Sequence, residues 1–303
     1  MKLEILTGLP ASKKSTYALA NRDDKTVIVS RDNIRHAQYG KWWSADMNEG
    51  WITQLEKQQI ISAFENGYNV ISDGTNLNKS NVQKLYDLAA QFQAEVVHTY
   101  FEVPPETCIE YDMNREKKVG AKVINRMAKK AGINEKGMIP RHEFVYHKIK
   151  PYVADESLPP CIVVDIDSTV ARKSDRSPYD YSRVYEDSVI EETMNIVNKV
   201  VAYDEATKKT TTDLIFLSGR SSDCREETTR WIDDKLNLKH DYKLFMRRSD
   251  DPHRADFIIK DELFEEHVAG KWNCIGVFDD RSQVVRMWRA KKLPVFDVAN
   301  NRF

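Results

Sequence analysis

A chain of 303 residues with 41% hydrophobic residues is long enough to bury two ordinary cores of about 150 residues each. Its 46 Lys+Arg nearly cancel its 47 Asp+Glu, which excludes both a uniformly basic nucleic-acid coat and an acidic disordered chain. The balance is local rather than uniform: residues 111–150 carry 11 basic and 4 acidic side chains, so a polyanion contact is expected there.

In chain order, short apolar runs alternate with longer helical patterns, the rhythm of an α/β protein with parallel sheets. Strands are predicted at Lys2–Thr7, Thr26–Ser30, Asn69–Ser72 and Glu95–Val103. Helical spacing is predicted over Trp51–Asn66, Lys79–Gln93, Pro105–Arg115 and Val123–Lys130. Residues 131–160 change character, with Gly132, Gly137, Pro140, Pro151, Pro159 and Pro160 and one short helical piece at His142–Lys150, so a linker is expected to end near 158. A second series follows, with strands at Cys161–Val164, Asp213–Leu217, Lys243–Met246, Asn273–Phe278 and Pro294–Val298. Its helices are predicted at Val189–Ala202, Arg225–Leu236, Lys260–Val268 and Ser282–Ala290, and a loop at Lys208-Lys209. This predicts two domains, 1–150 and 151–303.

Cys108, Cys161, Cys224 and Cys274 lie far apart without a C-x-x-C pair, which argues against a zinc knot or disulfide scaffold and suits a reducing compartment. The first residues run straight into a strand pattern, and no apolar stretch approaches the roughly 18 residues of a membrane span. A cytoplasmic protein with no membrane partner is expected.

The first candidate site is Gly8-Leu-Pro-Ala-Ser-Lys13-Lys14-Ser15-Thr16, a strand, a small-residue loop and a Lys-Ser-Thr helix start. Such a loop surrounds phosphate oxygens with backbone N–H groups, Lys14 neutralises them and Ser15 holds Mg²⁺. Lys13 stands where the full phosphate-loop pattern has its second glycine. Downstream, Asp32 is placed to accept a hydroxyl proton and Arg35 to hold a neighbouring phosphate, although Asp32 also fits a helix cap. Asp73, Thr75 and Asn76 follow the third strand and read either as ligand contacts or as turn formers. Arg115, in the basic stretch, reads as a lid residue reaching the transferring phosphate or as a solvated helix end.

The second candidate site starts from Asp165 and Asp167 at the carboxyl end of a buried strand. One carboxylate attacks a phosphate ester, the second protonates the leaving oxygen and a divalent cation relieves the repulsion. A D-x-D pair alone is weak. It gains weight from Ser218-Gly219-Arg220 after a strand, Lys260 at a predicted helix start and Asp279-Asp280-Arg281 ending another strand. Ser218 is placed to donate to phosphoryl oxygens, Lys260 to balance the anions, and Asp279 with Asp280 to complete a metal site.

With both sites in this order, nearly the whole chain resembles the bacteriophage-type bifunctional polynucleotide 5′-kinase/3′-phosphatases. The resemblance rests on Gly8…Lys14-Ser15-Thr16, Arg31-Asp32…Arg35 and Thr75-Asn-Leu-Asn78. It continues through Asp165-x-Asp167, Arg176-Ser-Pro-Tyr-Asp180, Ser218-Gly-Arg220, Ile258-Ile-Lys260 and Asp279-Asp-Arg-Ser-Gln-Val-Val-Arg-Met-Trp-Arg289. It implies an adenylate-kinase-like P-loop domain followed by a Rossmann-like haloacid-dehalogenase-type phosphatase, using ATP and Mg²⁺ on DNA or RNA ends. It further implies functional coupling to a polynucleotide ligase. Carried over, Asp32 would be the general base for the 5′-OH, and Gly8, Lys14, Ser15, Thr16 and Arg115 would bind the nucleotide. Asp165 would form an aspartyl-phosphate and Asp167 act as acid, then base. Arg35, Arg176, Ser218, Gly219, Arg220, Arg248, Asp256 and Lys260 would face the substrate, and Ser15, Asp165, Asp167, Asp279 and Asp280 the metal.

Two residues depart from the family pattern, Lys13 and Ser168, each standing for glycine. A kinase-inactive nucleic-acid- or nucleotide-binding N-terminal module beside an active 3′-phosphatase is the alternative that Lys13 raises. No ribbon of interleaved basic and aromatic residues marks a base-stacking surface, so recognition through phosphates is expected. Trp288, in a largely charged helix, reads either as core or as a contact in a homo-oligomer.

Overall fold

The computed structural model describes every residue except 178–179, 202, 205–208, 252–253 and 300–303. The chain divides into two compact units, Met1–Lys148 and Ile149–Phe303.

In the first unit, β1 (Lys2–Gly8), β2 (Thr26–Val29), β3 (Asn69–Asp73) and β4 (Glu95–Phe101) form a parallel sheet in the order β2-β3-β1-β4. Parallel neighbours need crossovers, here supplied by α1 (Lys14–Ala20), α2 (Arg31–Tyr39), α3 (Glu49–Glu65) and α4 (Lys79–Gln91). Two further helices, α5 (Pro105–Met113) and α6 (Ala121–Ala131), follow β4. The central strand β1 is buried almost throughout, as a strand covered by helices on both faces must be. Leu3 and Ile5 point into one core with Val29, Ile52, Phe64, Val70 and Leu85, while Leu6 packs with Ala18 and Ile71 on the other face. This order makes β1 and β3 neighbours, so the loops at their carboxyl ends converge.

The second unit is built on the parallel sheet β11-β10-β5-β12-β13, formed by β5 (Pro160–Val164), β10 (Asp213–Ser221), β11 (Tyr242–Arg247), β12 (Asn273–Asp279) and β13 (Val295–Asp297). Two small antiparallel pairs flank it, β6 (Ala171–Arg172) with β7 (Ser188–Val189) and β8 (Tyr203–Asp204) with β9 (Lys209–Thr210). The helices are α7 (Glu191–Val201), α8 (Arg225–Lys235), α9 (Asp256–His267) and α10 (Ser282–Ala290). Trp231 and Trp288 are fully buried, so Trp288 belongs to the core. The four cysteines are free and buried. Among the described residues no helix is long and apolar enough to cross a membrane.

Several elements differ from expectation. His142–Lys150 forms no helix. Its backbone is held from outside: Gln83 of α4 bonds both Val145 O (2.8 Å) and Val145 N (3.0 Å), and Phe144 stacks on Tyr86. Asp32 is not a cap, because Ser30 occupies the N-cap position of α2 and Asp32 lies in its first turn. Lys260 stands a turn inside α9, which begins at Asp256 rather than at Lys260. Lys209 belongs to β9 rather than a loop, while Lys208 and the expected helix end Ala202 lie outside the described residues, as do Pro178 and Tyr179 of the Arg176–Asp180 motif.

Candidate active sites

The loop between β1 and α1 is closed on its own lysine. Lys14 Nζ donates to Gly8 O (3.0 Å), Leu9 O (2.6 Å) and Ser12 Oγ (3.1 Å), and burial lowers its pKa to about 8 against the opposing field of Asp73. Gly8 has no room for a side chain, since a Cβ would lie 2.8 Å from Ser12 Oγ and 2.9 Å from Phe101 Cβ. Ser15 and Thr16 are exposed in the first turn of α1. Lys13 adopts the left-handed conformation, φ 70° and ψ 18°, so it supplies the turn expected of glycine at a cost of about 1–2 kcal/mol. Its ammonium rests 4.3 Å from the centroid of the Tyr111 ring. Asn76 and Asn78 are structural: Asn76 Nδ2 donates to Leu6 O (2.8 Å), and Asn78 caps α4.

Beside this loop, α2 presents Asp32 and Arg35 on adjacent turns, 2.5 Å apart. Glu49, at the start of α3, grips Arg35 with two bonds of 2.7 and 2.8 Å and also accepts from Arg31 at 2.6 Å. The Arg35 bond, foremost, holds Glu49 down at about 2 although burial opposes it. Lys117, in the segment joining α5 to α6, ion-pairs with the other oxygen of Asp32. Arg115 is bound to Asp112 (2.5 Å), whose carboxylate also accepts from Val119 N and Gly120 N, so the segment is anchored at its root.

In the second unit, β5, β10, β12 and α9 bring the expected residues together. Lys260 Nζ lies 2.9 Å from Asp165 Oδ1 and 2.8 Å from Asp279 Oδ2, with all three side chains buried. Burial, reinforced by Asp279, Asp280 and Asp256, pushes the Asp165 carboxyl well above its ordinary range against the pull of Lys260. Burial also works against the Lys260 ammonium, but these carboxylates outweigh it and keep the lysine charged. Asp280 is pushed up to about 6 by burial and then by Asp279. Trp288 Nε1 and the Arg281 backbone N–H support Asp279.

Asp167 is more exposed than Asp165 and is held by a fork from Arg220, Nε to Oδ2 at 2.9 Å and Nη2 to Oδ1 at 2.8 Å. The backbone just after Asp167 turns through Ser168 at φ 62°, like Lys13 a left-handed position occupied without glycine. Ser218 is buried and its Oγ accepts from Arg220 N (3.2 Å). Gly219 faces Asp256 so closely that a Cβ would lie 2.2 Å from Asp256 Oδ1. Asp256 is gripped by Arg247 (3.2 Å) and Arg281 (3.0 Å). Arg248 is not brought to this cluster: its side chain is 78% exposed and paired with Asp250.

Residues 159–303 match the model of the polynucleotide kinase PNKP phosphatase domain family, and residues 3–132 match that of an AAA domain family. Over 99% of its length the chain is 32% identical to a putative bifunctional polynucleotide kinase/RNA ligase of Autographa californica nuclear polyhedrosis virus, covering 43% of that protein. The second unit is thus similar to a polynucleotide kinase phosphatase domain, and the chain as a whole to part of a polynucleotide kinase/RNA ligase. The chain is also 29% identical over 134 residues to the L-seryl-tRNA(Sec) kinase of Methanococcus maripaludis, a match covering 42% of this chain and 51% of that one. The chain thus spans about half or less of the length of these curated relatives. A chain of the solved Pnkp1/Rnl/Hen1 RNA repair complex is 30% identical, with 100% of this chain and 97% of that one covered and a TM-score of 0.46.

In the second unit, Asp165, Asp279 and Asp280 offer carboxylate oxygens that all lie within 4.8 Å of one another. An all-oxygen, net-anionic set of this kind suits Mg²⁺: burial foremost, and then the neighbouring carboxylates, raise Asp165 and Asp280, and a divalent cation would favour their charged forms. The carboxylate of Asp167, expected among the metal residues, is engaged by Arg220 and lies outside that set.

The sequence reading missed Asp187. This fully buried carboxylate binds Arg176 through two bonds, 2.9 and 2.6 Å, and Arg220 at 3.0 Å, so it fixes both arginines beside Asp167. Its backbone oxygen accepts from Trp231 Nε1 at 2.7 Å. Glu49 and Lys117 were missed for the same reason: each meets its partner only through the fold, and neither sits in a motif.

Proposed function

We propose that the protein heals nucleic-acid ends, with residues 1–150 phosphorylating 5′-OH termini from ATP and residues 151–303 removing 3′-phosphates. The observation that carries the reading is the buried Asp165–Lys260–Asp279 cluster, with Asp167 held apart on Arg220. Two carboxyls in unlike environments suit the two jobs that phosphate-ester hydrolysis through the enzyme requires. Asp165, beside a buried ammonium, is the nucleophile: its oxygen attacks phosphorus, forming the aspartyl-phosphate as the bond to O3′ breaks. Asp167, more open to water, gives its proton to the leaving O3′. It then takes a proton from the water that attacks the aspartyl-phosphate, releasing inorganic phosphate and restoring Asp165. Ser218, Arg176 and Arg220 hold the phosphoryl oxygens, with Gly219, Asp256 and Lys260 shaping the pocket, and Arg248 meets the strand farther out. Asp165, Asp279 and Asp280 would hold Mg²⁺, which would supply charge neutralisation at the phosphoryl group.

In the kinase half, Asp32 accepts the proton of the 5′-OH as its oxygen bonds to the γ-phosphorus and ADP departs. Lys14, Ser15 and Thr16, with the backbone from Gly8 onward, receive the ATP phosphates, and Ser15 would hold Mg²⁺, which would neutralise phosphate charge. Arg115 reaches the transferring group, and Arg35, preset by Glu49, holds the adjacent strand phosphate. DNA or RNA ends are the substrates, and a polynucleotide ligase is the enzyme that consumes the product. The left-handed turn at Lys13 supports an intact phosphate loop over a degenerate one.

The test is transfer of labelled γ-phosphate from ATP to a 5′-OH oligonucleotide, and phosphate release from a 3′-phosphorylated one, both with Mg²⁺. Lys14→Ala is expected to abolish transfer and spare release, and Asp165→Asn the reverse. Release without transfer would reduce the first unit to a binding module, and loss of both in the parent enzyme would overturn the reading.

A further inference from the structure

The sequence carries no ribbon of aromatic and basic residues, yet the fold assembles a compact one next to Asp32. His36 lies four residues after Asp32 on α2, hence on the same helix face about 6 Å farther along. The indole of Trp42, just past the end of α2, stacks on the His36 imidazole with centroids 4.2 Å apart and planes 23° apart. A ring stacked on one face has one face left. The Lys117 ammonium sits 4.9 Å from the centroid of that indole, and the same ammonium ion-pairs with Asp32. Trp43 beside it is 68% exposed.

We propose that Trp42, backed by His36, is the seat of the 5′-terminal nucleobase of the acceptor strand. The inference rests on the kinase reading of Asp32 and adds to it the group that positions the acceptor. The occupant follows from three features. An indole plane accepts any base through stacking, without reading its edges. The rim is cationic, with Lys117 and Arg35 within reach of Asp32, which suits a phosphodiester strand. Because the one Lys117 ammonium meets both groups, the ring also lies within about one nucleoside's length of the carboxylate that would take the 5′-OH proton. In the free enzyme Lys117 covers both Trp42 and Asp32. A base arriving on the indole displaces the ammonium, which frees the carboxylate to meet the hydroxyl and turns Lys117 towards the strand phosphates.

The test compares full-length parent, Trp42→Ala and Trp42→Phe. Each is titrated by fluorescence anisotropy with a 3′-labelled 5′-OH oligonucleotide and with the same strand abasic at its 5′-terminal nucleotide. Steady-state KM values for both strands and for ATP are measured alongside. The parent is expected to prefer the intact strand about ten-fold. Trp42→Ala is expected to lose that preference, with the change falling on KM for the strand rather than KM for ATP, and Trp42→Phe to retain most of it. Equal binding of the two strands by the parent, or an undiminished preference in Trp42→Ala, would overturn the proposal. Discrimination in binding without phosphate transfer would instead sink the kinase reading and leave the base seat standing.

Discussion

The Lys13 ammonium lies over the Tyr111 ring, 4.3 Å from its centroid, while the Lys13 backbone holds the left-handed turn that opens α1. The two facts belong together. The turn costs about 1–2 kcal/mol for a residue with a Cβ, and a cation–π contact of this kind returns about 0.5–1 kcal/mol. Lys13→Gly is therefore expected to change stability by no more than about 1.5 kcal/mol, whereas Tyr111→Leu loses the contact and keeps the strain. Because the loop already has the glycine shape, Lys13→Gly should alter γ-phosphate transfer by less than about ten-fold. Melting curves and single-turnover transfer rates check both, and a rescue of a hundred-fold or more would show that the lysine side chain obstructs the phosphate.

Lys260 is the sole cation within hydrogen-bonding reach of Asp165 and Asp279 among the described residues. Lys260→Met leaves two buried carboxylates unpaired, for which a loss of about 3–5 kcal/mol is expected. Phosphate release should fall below detection. Since Asp165, Asp279 and Asp280 form the proposed cation site, Mg²⁺ should raise the melting temperature of the variant more than that of the parent. Equal shifts would argue against cation binding there.

Asp187 reaches no substrate in the proposed mechanism, yet it anchors Arg176 and Arg220. Asp187→Asn keeps the volume and removes the charge that fixes both guanidinium planes. Misplacement of a positioning group by about 1 Å costs on the order of 10²-fold, so 3′-phosphate release should fall by about that factor. Transfer to 5′-OH ends should persist in the same preparation. A variant that releases phosphate at the parental rate would show that Asp167 alone orients Arg220.

His98 gives the first unit an acid-sensitive point. Burial first, and then the charge of Arg141, depress its pKa to about 4, and the neutral ring is bonded to Thr7 Oγ1 (2.7 Å) and Tyr100 OH (3.2 Å). Between pH 6.5 and 4 the unfolded chain binds a proton that the folded unit refuses, so stability is complete above pH 6.5 and falls as pH drops through that window. His98→Gln should flatten this part of the stability curve. Denaturation midpoints from pH 7 to 4 for the two proteins check it, and parallel curves would locate the acid sensitivity elsewhere.

Much of this architecture is written in short-range pattern. Buried-strand runs at Lys2–Gly8 and Pro160–Val164, with helical spacing between them, announce parallel sheets because a strand covered on both faces must be apolar along its whole length. The phosphate loop and the Asp165-x-Asp167 strand end were legible for a related reason. Each places its chemistry within a few residues, where sequence spacing and spatial spacing coincide.

What lay beyond the sequence are the groups that meet only after the chain folds. Arg35 and Glu49 are 14 residues apart, Asp32 and Lys117 are 85, and Arg220 and Asp187 are 33. No periodicity links such pairs, because their distance is set by sheet order and helix packing. The same rule governs His142–Lys150, whose helical spacing loses to the bonds that Gln83 makes with Val145. The residues that supply the chemistry were readable from their neighbours in the chain. The partners that aim them, the buried Asp187 and Trp288 and the half-exposed Glu49, were chosen by tertiary structure, since only the closed fold brings each within bonding distance of its group.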